Sequence, residues 1–366
     1  MRKLSLLIVS SMVTGITWGA NSLMIPLYLK GLGLSPFEIG TLLALAILVS
    51  ATVSLVLSAY ADAYGKIRVL TIQSLLSIVG IILLIVGIPF GYITLGGFGG
   101  GTIKMAMISD LSDDMERDLS RVNSGSILFS VLGSAIVGFL DPPYVFSVEL
   151  IIYIISIALV IAVGETSSPQ RKFTFGLKSG KTIFKFSTDS LIGLGAGMVI
   201  PLMSLWFYLK FGIGREELAP IYVISELTLA FSSMISPILS KRFGTVNTIF
   251  ATEIASILLL VYLPFTSSFL DASLVYVVRN ALMNMTSPIR EAFILSLIPR
   301  EERSRGNGFV NLFHAIPRAL GPEIGGMFFG LGNLTLPFLI TASLYSISGI
   351  AFFFMFRKVN DSKPLS

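Results

Sequence analysis

"YLKGLGLSPFEIG", Tyr28 to Gly40, returns roughly 180 residues later as "YLKFGIGREELAP", Tyr208 to Pro220. Each copy closes an apolar run with Tyr-Leu-Lys, turns on glycines and opens another run. Two more matches fall at nearly the same offset. Gly65 in "DAYGKIR" lines up with Gly244 in "KRFGTVN", and "GSAIVGF" from Gly133 lines up with "RALGPEIGG" from Arg318. One such match is weak; three near one offset describe a chain built from two copies of one unit.

Composition says what the unit is made of. The 366 residues are 54% hydrophobic and 13% charged, with a mean hydropathy of +0.85. Soluble domains carry roughly 25% charged residues, so this chain reads as an all-α integral membrane protein. A membrane helix needs about 20 apolar residues. Twelve runs qualify: 4–30, 36–61, 67–88, 90–110, 121–140, 144–164, then 187–210, 217–240, 245–266, 270–298, 306–330 and 333–357. They are numbered helix 1 to helix 12 below. The long polar interval "GETSSPQRKFTFGLKSGKTIFKFS" separates six from six. The expected organisation is an N-terminal bundle (1–164), a cytoplasmic linker (165–186) and a C-terminal bundle (187–366). Six helices per copy give both copies one orientation, a parallel repeat about an axis along the membrane normal.

Orientation follows from the basic residues. With the N-terminus inside, the cytoplasmic set is Arg2, Lys3, Lys66, Arg68, Arg117, Arg121, five linker residues, Lys241, Arg242, Arg300, Arg303, Arg305 and three in the tail. That is nineteen against three outside, Lys30, Lys210 and Arg215, so both termini are expected in the cytoplasm of a plasma-membrane protein. The first twenty residues mimic a signal peptide, but the apolar run continues through Ile25 and Leu29, and cleavage would destroy the repeat.

Several function classes drop out. The absence of cysteine removes thiolate metal sites and cysteine nucleophiles, and a single histidine, His314, leaves no H-E-x-x-H pair. No metal or other cofactor is expected, and an enzyme is disfavoured. The net charge of +5 sits at helix ends rather than in a patch, which argues against nucleic acid.

The loop after helix 2, Ser58 to Arg68 ("SAYADAYGKIR"), resembles the G-x-x-x-D-(R/K)-x-G-(R/K)-x-(R/K) motif of the major facilitator superfamily. Asp62, Gly65, Lys66 and Arg68 match, whereas Ser58 and Ala63 depart from it. The resemblance covers nearly the whole chain. It implies secondary transport, a gating loop in which Asp62 clamps the start of helix 11 near Gly306–Gly308, and a cavity lined by helices 1, 4, 7 and 10. Asp62 as a plain solvated loop acid is the competing reading. Drug exporters of the family carry G-P-x-x-G-G in helix 5; here it stands in helix 11, Gly321 to Gly326. Exporters also favour an arginine in helix 4, where Lys104 is the basic candidate.

Charges inside the runs need a reason, because an arginine at mid-membrane costs about 2.5–3.5 kcal/mol or more. Arg279 lies roughly 13 Å below the outer end of helix 10 at 1.5 Å per residue. Glu226 and Glu323 stand at similar depth, so a compensated cluster of Arg279 with one of these acids is expected, and that acid carries a coupled proton. Arg318 and His314 share a stripe of helix 11 with Asn307 and Asn311. These groups, with Asn280 and Asn284, could equally satisfy one another between packed helices. Glu149 and Glu253, on peripheral helices, rank below Glu226 and Glu323, and Arg290 and Glu291 read as snorkelling residues. The substrate cavity is expected to draw on Trp18, Asn21, Lys104, Trp206, Asn280, Asn284 and Asn311, with Met203 beside them. Core packing is the simpler reading of its methionine and tryptophans.

Together these point to a monomeric, proton-coupled transporter of a small organic solute working by alternating access, with efflux favoured. The alternatives are a proton-coupled importer or uniporter of a small metabolite, and a transport-inactive sensor or scaffold.

Overall fold

The computed structural model describes residues 2–95, 100–112, 115–166, 180, 184–298 and 303–360. Every extended regular element among them is helical. By contacts the chain divides into two compact units. One comprises Met1–Leu34, Leu42–Thr174 and Gly214–Val223; the other comprises Ser35–Thr41, Phe175–Ile213 and Ile224–Ser366.

In the first half, helix 1 is formed by Arg2–Val13 and Gly15–Gly31, helix 2 by Pro36–Tyr64 and helix 3 by Lys66–Ile85. Helix 4 has two described pieces, Gly91–Leu95 and Gly100–Leu111; helix 5 is Met115–Phe139 and helix 6 Pro142–Val163. In the second half, helix 7 runs through Asp189–Val199 and Met203–Phe211, with a 3-10 turn at Pro201 between them. Helix 8 is Arg215–Phe243, helix 9 Thr245–Tyr262, helix 10 Phe269–Asn284 plus Ser287–Ser296, helix 11 Arg303–Gly330 and helix 12 Leu336–Asn360. Among the described residues nine helices are long and apolar enough to cross a membrane. Helices 4, 10 and 11 complete the expected twelve. They fall short because they are broken or carry the intramembrane charges Lys104, Arg279, Arg290 and Arg318. The break in helix 10 has a local cause: Pro288 lacks an N–H and its ring would strike the carbonyl of Asn284.

The repeat appears as the same contact made twice. In the first unit, a Cβ on Gly15 or Gly19 of helix 1 would lie 2.2 or 2.1 Å from the carbonyl oxygen of Ser126 or Ser130 of helix 5. In the second, a Cβ on Gly193 or Gly197 of helix 7 would lie 2.2 Å from the carbonyl oxygen of His314 or Arg318 of helix 11. Glycines three residues apart by intervening count let two backbones touch, the usual adhesive in a bilayer where burial of apolar surface gives no gain. This contact fixes the register of helix 11 and therefore the depth of its charges. Gly197→Val should cost about 1–3 kcal/mol or more, because a backbone carbonyl cannot rotate away. Thermal melting should show the loss against Gly31→Val, whose Cβ meets nothing. Equal melting of the two variants would contradict the contact.

The repeat also explains the tight turns. Gly65 has φ +109° and Gly244 φ +85°, each immediately before a helix start. Only glycine adopts these angles without strain.

Candidate substrate and coupling sites

Arg279 is built into the second unit by helix 10, whose backbone at this residue accepts a bond from Ser256 Oγ of helix 9 (3.3 Å). Its side chain is 1% exposed, and Nε and Nη2 have no hydrogen-bond partner. The guanidinium carbon stands 5.9 Å from the ring centre of Tyr345 on helix 12. Arg318 lies within electrostatic range of both Arg279 and Tyr345, and His314 within range of Arg318. The result is a predominantly basic cluster in which Arg279 is buried and His314 and Arg318 are half-buried.

The expected carboxylate partner is not there. Among the described residues the ion pairs do not include one from Arg279 to Glu226 or Glu323. Glu226 is buried on helix 8, but Glu323 is exposed. The register of helix 11 explains the latter. Gly321 and Gly325 face Gly197 and Met198 of helix 7, and a residue midway between them in sequence points to the opposite side. A cation–π contact near the 6 Å limit contributes about 0.5–1 kcal/mol at the low end of its range, less than the cost of burying the cation.

The neighbouring amides follow the simpler reading. Asn284 Nδ2 donates to Asn280 Oδ1 (2.8 Å), and Asn280 Nδ2 donates to Ser225 Oγ of helix 8 (2.8 Å). They satisfy one another between helices. Trp206 and Met203 are also core residues. Trp206 is fully buried, donates from Nε1 to the Leu334 carbonyl (3.1 Å), and packs with Phe207, Phe211 and Phe338. Its assignment to a cavity is corrected, whereas Trp18 is 62% exposed in its unit. The side chains of Asn307, Asn311 and Asp62, and of Gly306–Gly308, lie outside the described residues, so the Asp62 clamp does too.

Arg290 does not snorkel. It pairs with Asp189 Oδ1 of helix 7 (2.6 Å), stands 3.6 Å from Glu253 Oε1 of helix 9, and lies over the ring of Phe352 at 4.9 Å. Glu253, expected at the periphery, is thereby buried in an ion triad; Glu291 is exposed.

The first unit holds an acid without a cation. Glu149 on helix 6 is 1% exposed, and neither carboxylate oxygen has a hydrogen bond of normal geometry, although the Asn21 side chain of helix 1 approaches it. Tyr92 and Tyr153 lie within range of its charge. Lys104, on helix 4, donates to Ser156 Oγ (2.7 Å) and the Ser10 carbonyl (3.4 Å). At the motif loop, Lys66 Nζ pairs with Asp110 Oδ2 (2.6 Å), and Arg68 is exposed. The first two amides of helix 3, Lys66 and Ile67, donate to the two oxygens of Glu165 (3.0 Å each). Sequence reasoning left Glu165 in the linker. A glutamate just after Gly164 carries no local sign that it caps a helix start 99 residues earlier.

The model of the Major Facilitator Superfamily matches residues 7–187 and again 186–366, so the chain belongs to that family. The uncharacterized membrane protein YJR124C of Saccharomyces cerevisiae is 25% identical over 182 residues, 49% of this chain and 40% of the relative. The chain therefore matches less than half the length of that relative. Among solved structures, the nucleoside transporter NupG aligns with TM-score 0.72 at 15% identity, covering 98% of this chain and 100% of that one. A D-xylose-proton symporter gives 0.78 at 12%, covering 95% and 96%, and the human organic anion transporter MFSD10 gives 0.69 at 12%, covering 96% and 99%. These likenesses show the fold alone. The cargoes they are named for, a nucleoside, D-xylose and an organic anion, are chemically unlike, so the fold does not select a substrate.

Proposed function

We propose that the chain is a secondary active transporter of a small organic anion, working by alternating access across the plasma membrane, coupled to protons and with both termini cytoplasmic. One observation carries the charge of the substrate: Arg279 is buried in the second unit with two donor nitrogens unmade and Arg318 nearby. A guanidinium presents a planar fork that carboxylates and phosphates match with two parallel hydrogen bonds. A carboxylate on the substrate supplies both the missing acceptor and the missing charge. The proton falls to Glu149, the buried acid that no cation compensates. The helix 11 glycines, which resemble an exporter motif, are accounted for by packing: Gly321 and Gly325 on helix 7, Gly326 on Pro36. Direction is therefore a result of the flux assay and is not implied by the motif.

The test uses proteoliposomes of the full chain on a solid-supported membrane, challenged with acetate, benzoate and succinate and with the matching amides. At least one carboxylate should evoke a transport current and the amides none. Currents from neutral or cationic solutes alone would overturn the anion assignment, and silence to every solute class would favour a sensor or scaffold.

A further inference from the structure

Each unit places a cation on its fourth helix in different company. In the second unit Arg290 of helix 10 is held by Asp189 of helix 7 and Glu253 of helix 9. The repeat gives each acid a counterpart. Gly15 matches Gly193 in its contact, and the residue four places before it is Ser11 where the second unit has Asp189. Gly65 matches Gly244 in its turn, and the residue nine places after it is Ser74 where the second unit has Glu253. Lys104 on helix 4, the mate of helix 10, is not at the repeat offset of Arg290, but it reaches Ser10, next to Ser11, as Arg290 reaches Asp189. The first unit has a cation here too, with serines where the second unit has its two acids.

The shortened side chains leave room. Ser11, Ser74, Lys104 and Ser156 line a cavity of ≈ 260 Å³ inside the first unit, far above the ~10–15 Å³ that one water needs. No Asp or Glu is in its lining. Lys104 Nζ has three donors and directs two contacts at the wall, to Ser156 and Ser10. Ser11 Oγ is buried without a partner. An ammonium, an unpartnered hydroxyl and open space meet where the other unit holds carboxylates.

We propose that this chamber binds a small monovalent anion, a halide or short carboxylate, in the place that the two acids fill in the second unit. Lys104 supplies the charge, and Ser11 and Ser74 supply hydroxyl donors. The site lies wholly in the first unit and does not rest on the Arg279 reading.

The experiment uses the full-length protein in nanodiscs, melted in sodium gluconate with sodium chloride or acetate substituted at constant ionic strength. Radiolabelled acetate binding, displaced by chloride, gives a second readout. The wild type should be stabilised saturably by chloride or acetate and should bind acetate. Lys104→Gln should bind at least about tenfold more weakly, as expected for loss of a charge-assisted bond. Ser11→Asp should melt at or above the anion-saturated wild type and no longer respond, since it restores the internal acid. Chloride, which lacks the paired oxygens that a guanidinium fork matches, should stabilise as acetate does, which separates this site from the transported anion. No saturable response in the wild type would overturn the proposal, as would a full response in Lys104→Gln. If Lys104→Gln does not fold, Ser11→Asp decides: an unchanged anion response there has the same overturning weight.

Discussion

Arg279→Met is expected to raise the thermal stability of the protein while removing transport of the anion. The two effects have one origin. The guanidinium is buried, and among the described residues it has a distant ring contact and no acid in an ion pair. Replacing buried ionic groups with apolar ones of similar volume is often neutral or stabilising by about 1–4 kcal/mol. Methionine fits irregular space without a charge to solvate. Transport should move the other way. A hydrogen bond to a charged group is worth about 1.5–3 kcal/mol, and 1.4 kcal/mol is tenfold, so carboxylate flux should fall by roughly 10- to 100-fold. Arg279→Lys should lose part of that, keeping the charge without the fork. Melting curves and carboxylate currents on the same preparations decide it. A Met variant that melts lower and transports normally would show that Arg279 is structural and has a partner.

Glu149→Gln should abolish transport driven by a pH gradient and leave counterflow exchange of the same carboxylate intact. A carboxylate away from water is costly when it is isolated and not paired. Glu149 meets that condition, with no cation in contact and the Asn21 amide and the Tyr92 and Tyr153 hydroxyls as its polar surroundings. Lys104 lines the chamber that Tyr153 also borders. Glutamine imitates the protonated acid in shape and neutrality, so the exchange half of the cycle survives and the coupled half does not. A one-unit change in proton affinity between two conformations is about 1.4 kcal/mol, a tenfold bias between them. Glu226→Gln, beside the amide chain of helix 10, serves as the comparison and should keep pH-driven flux. If Glu226→Gln alone uncouples the cycle, the proton belongs to helix 8 as the sequence first suggested.

How much of this was legible beforehand differs between fold and site. The membrane class, the two six-helix halves and the parallel repeat follow from features that need no third dimension: run length, composition and a recurring Tyr-Leu-Lys-to-glycine phrase. The signals for the helix 1–5 and 7–11 contacts were also present, as glycines at 15 and 19 and at 193 and 197. A small residue every fourth position is readable once one asks which backbones touch. The positions of charges along the helices were legible too, since rise per residue converts a count into a depth. Arg279, Glu226 and Glu323 were placed at one level on that basis.

Depth is only one coordinate. Whether two charges at one level meet depends on how each helix is rotated, and rotation is set by contacts distant in sequence. The glycine faces of helix 11 lie on helix 7, which turns Glu323 outward and leaves Arg279 without it. The same kind of contact gives Arg290 its two acids, and brings Glu165 to the start of helix 3. The sequence by itself determined that this is a two-fold repeated, twelve-helix member of a transporter fold with charges buried in it. Tertiary structure alone decided which of those charges are paired and which stand open, because pairing is a matter of angstroms between helices, and periodicity along a chain carries no information about a neighbour's rotation.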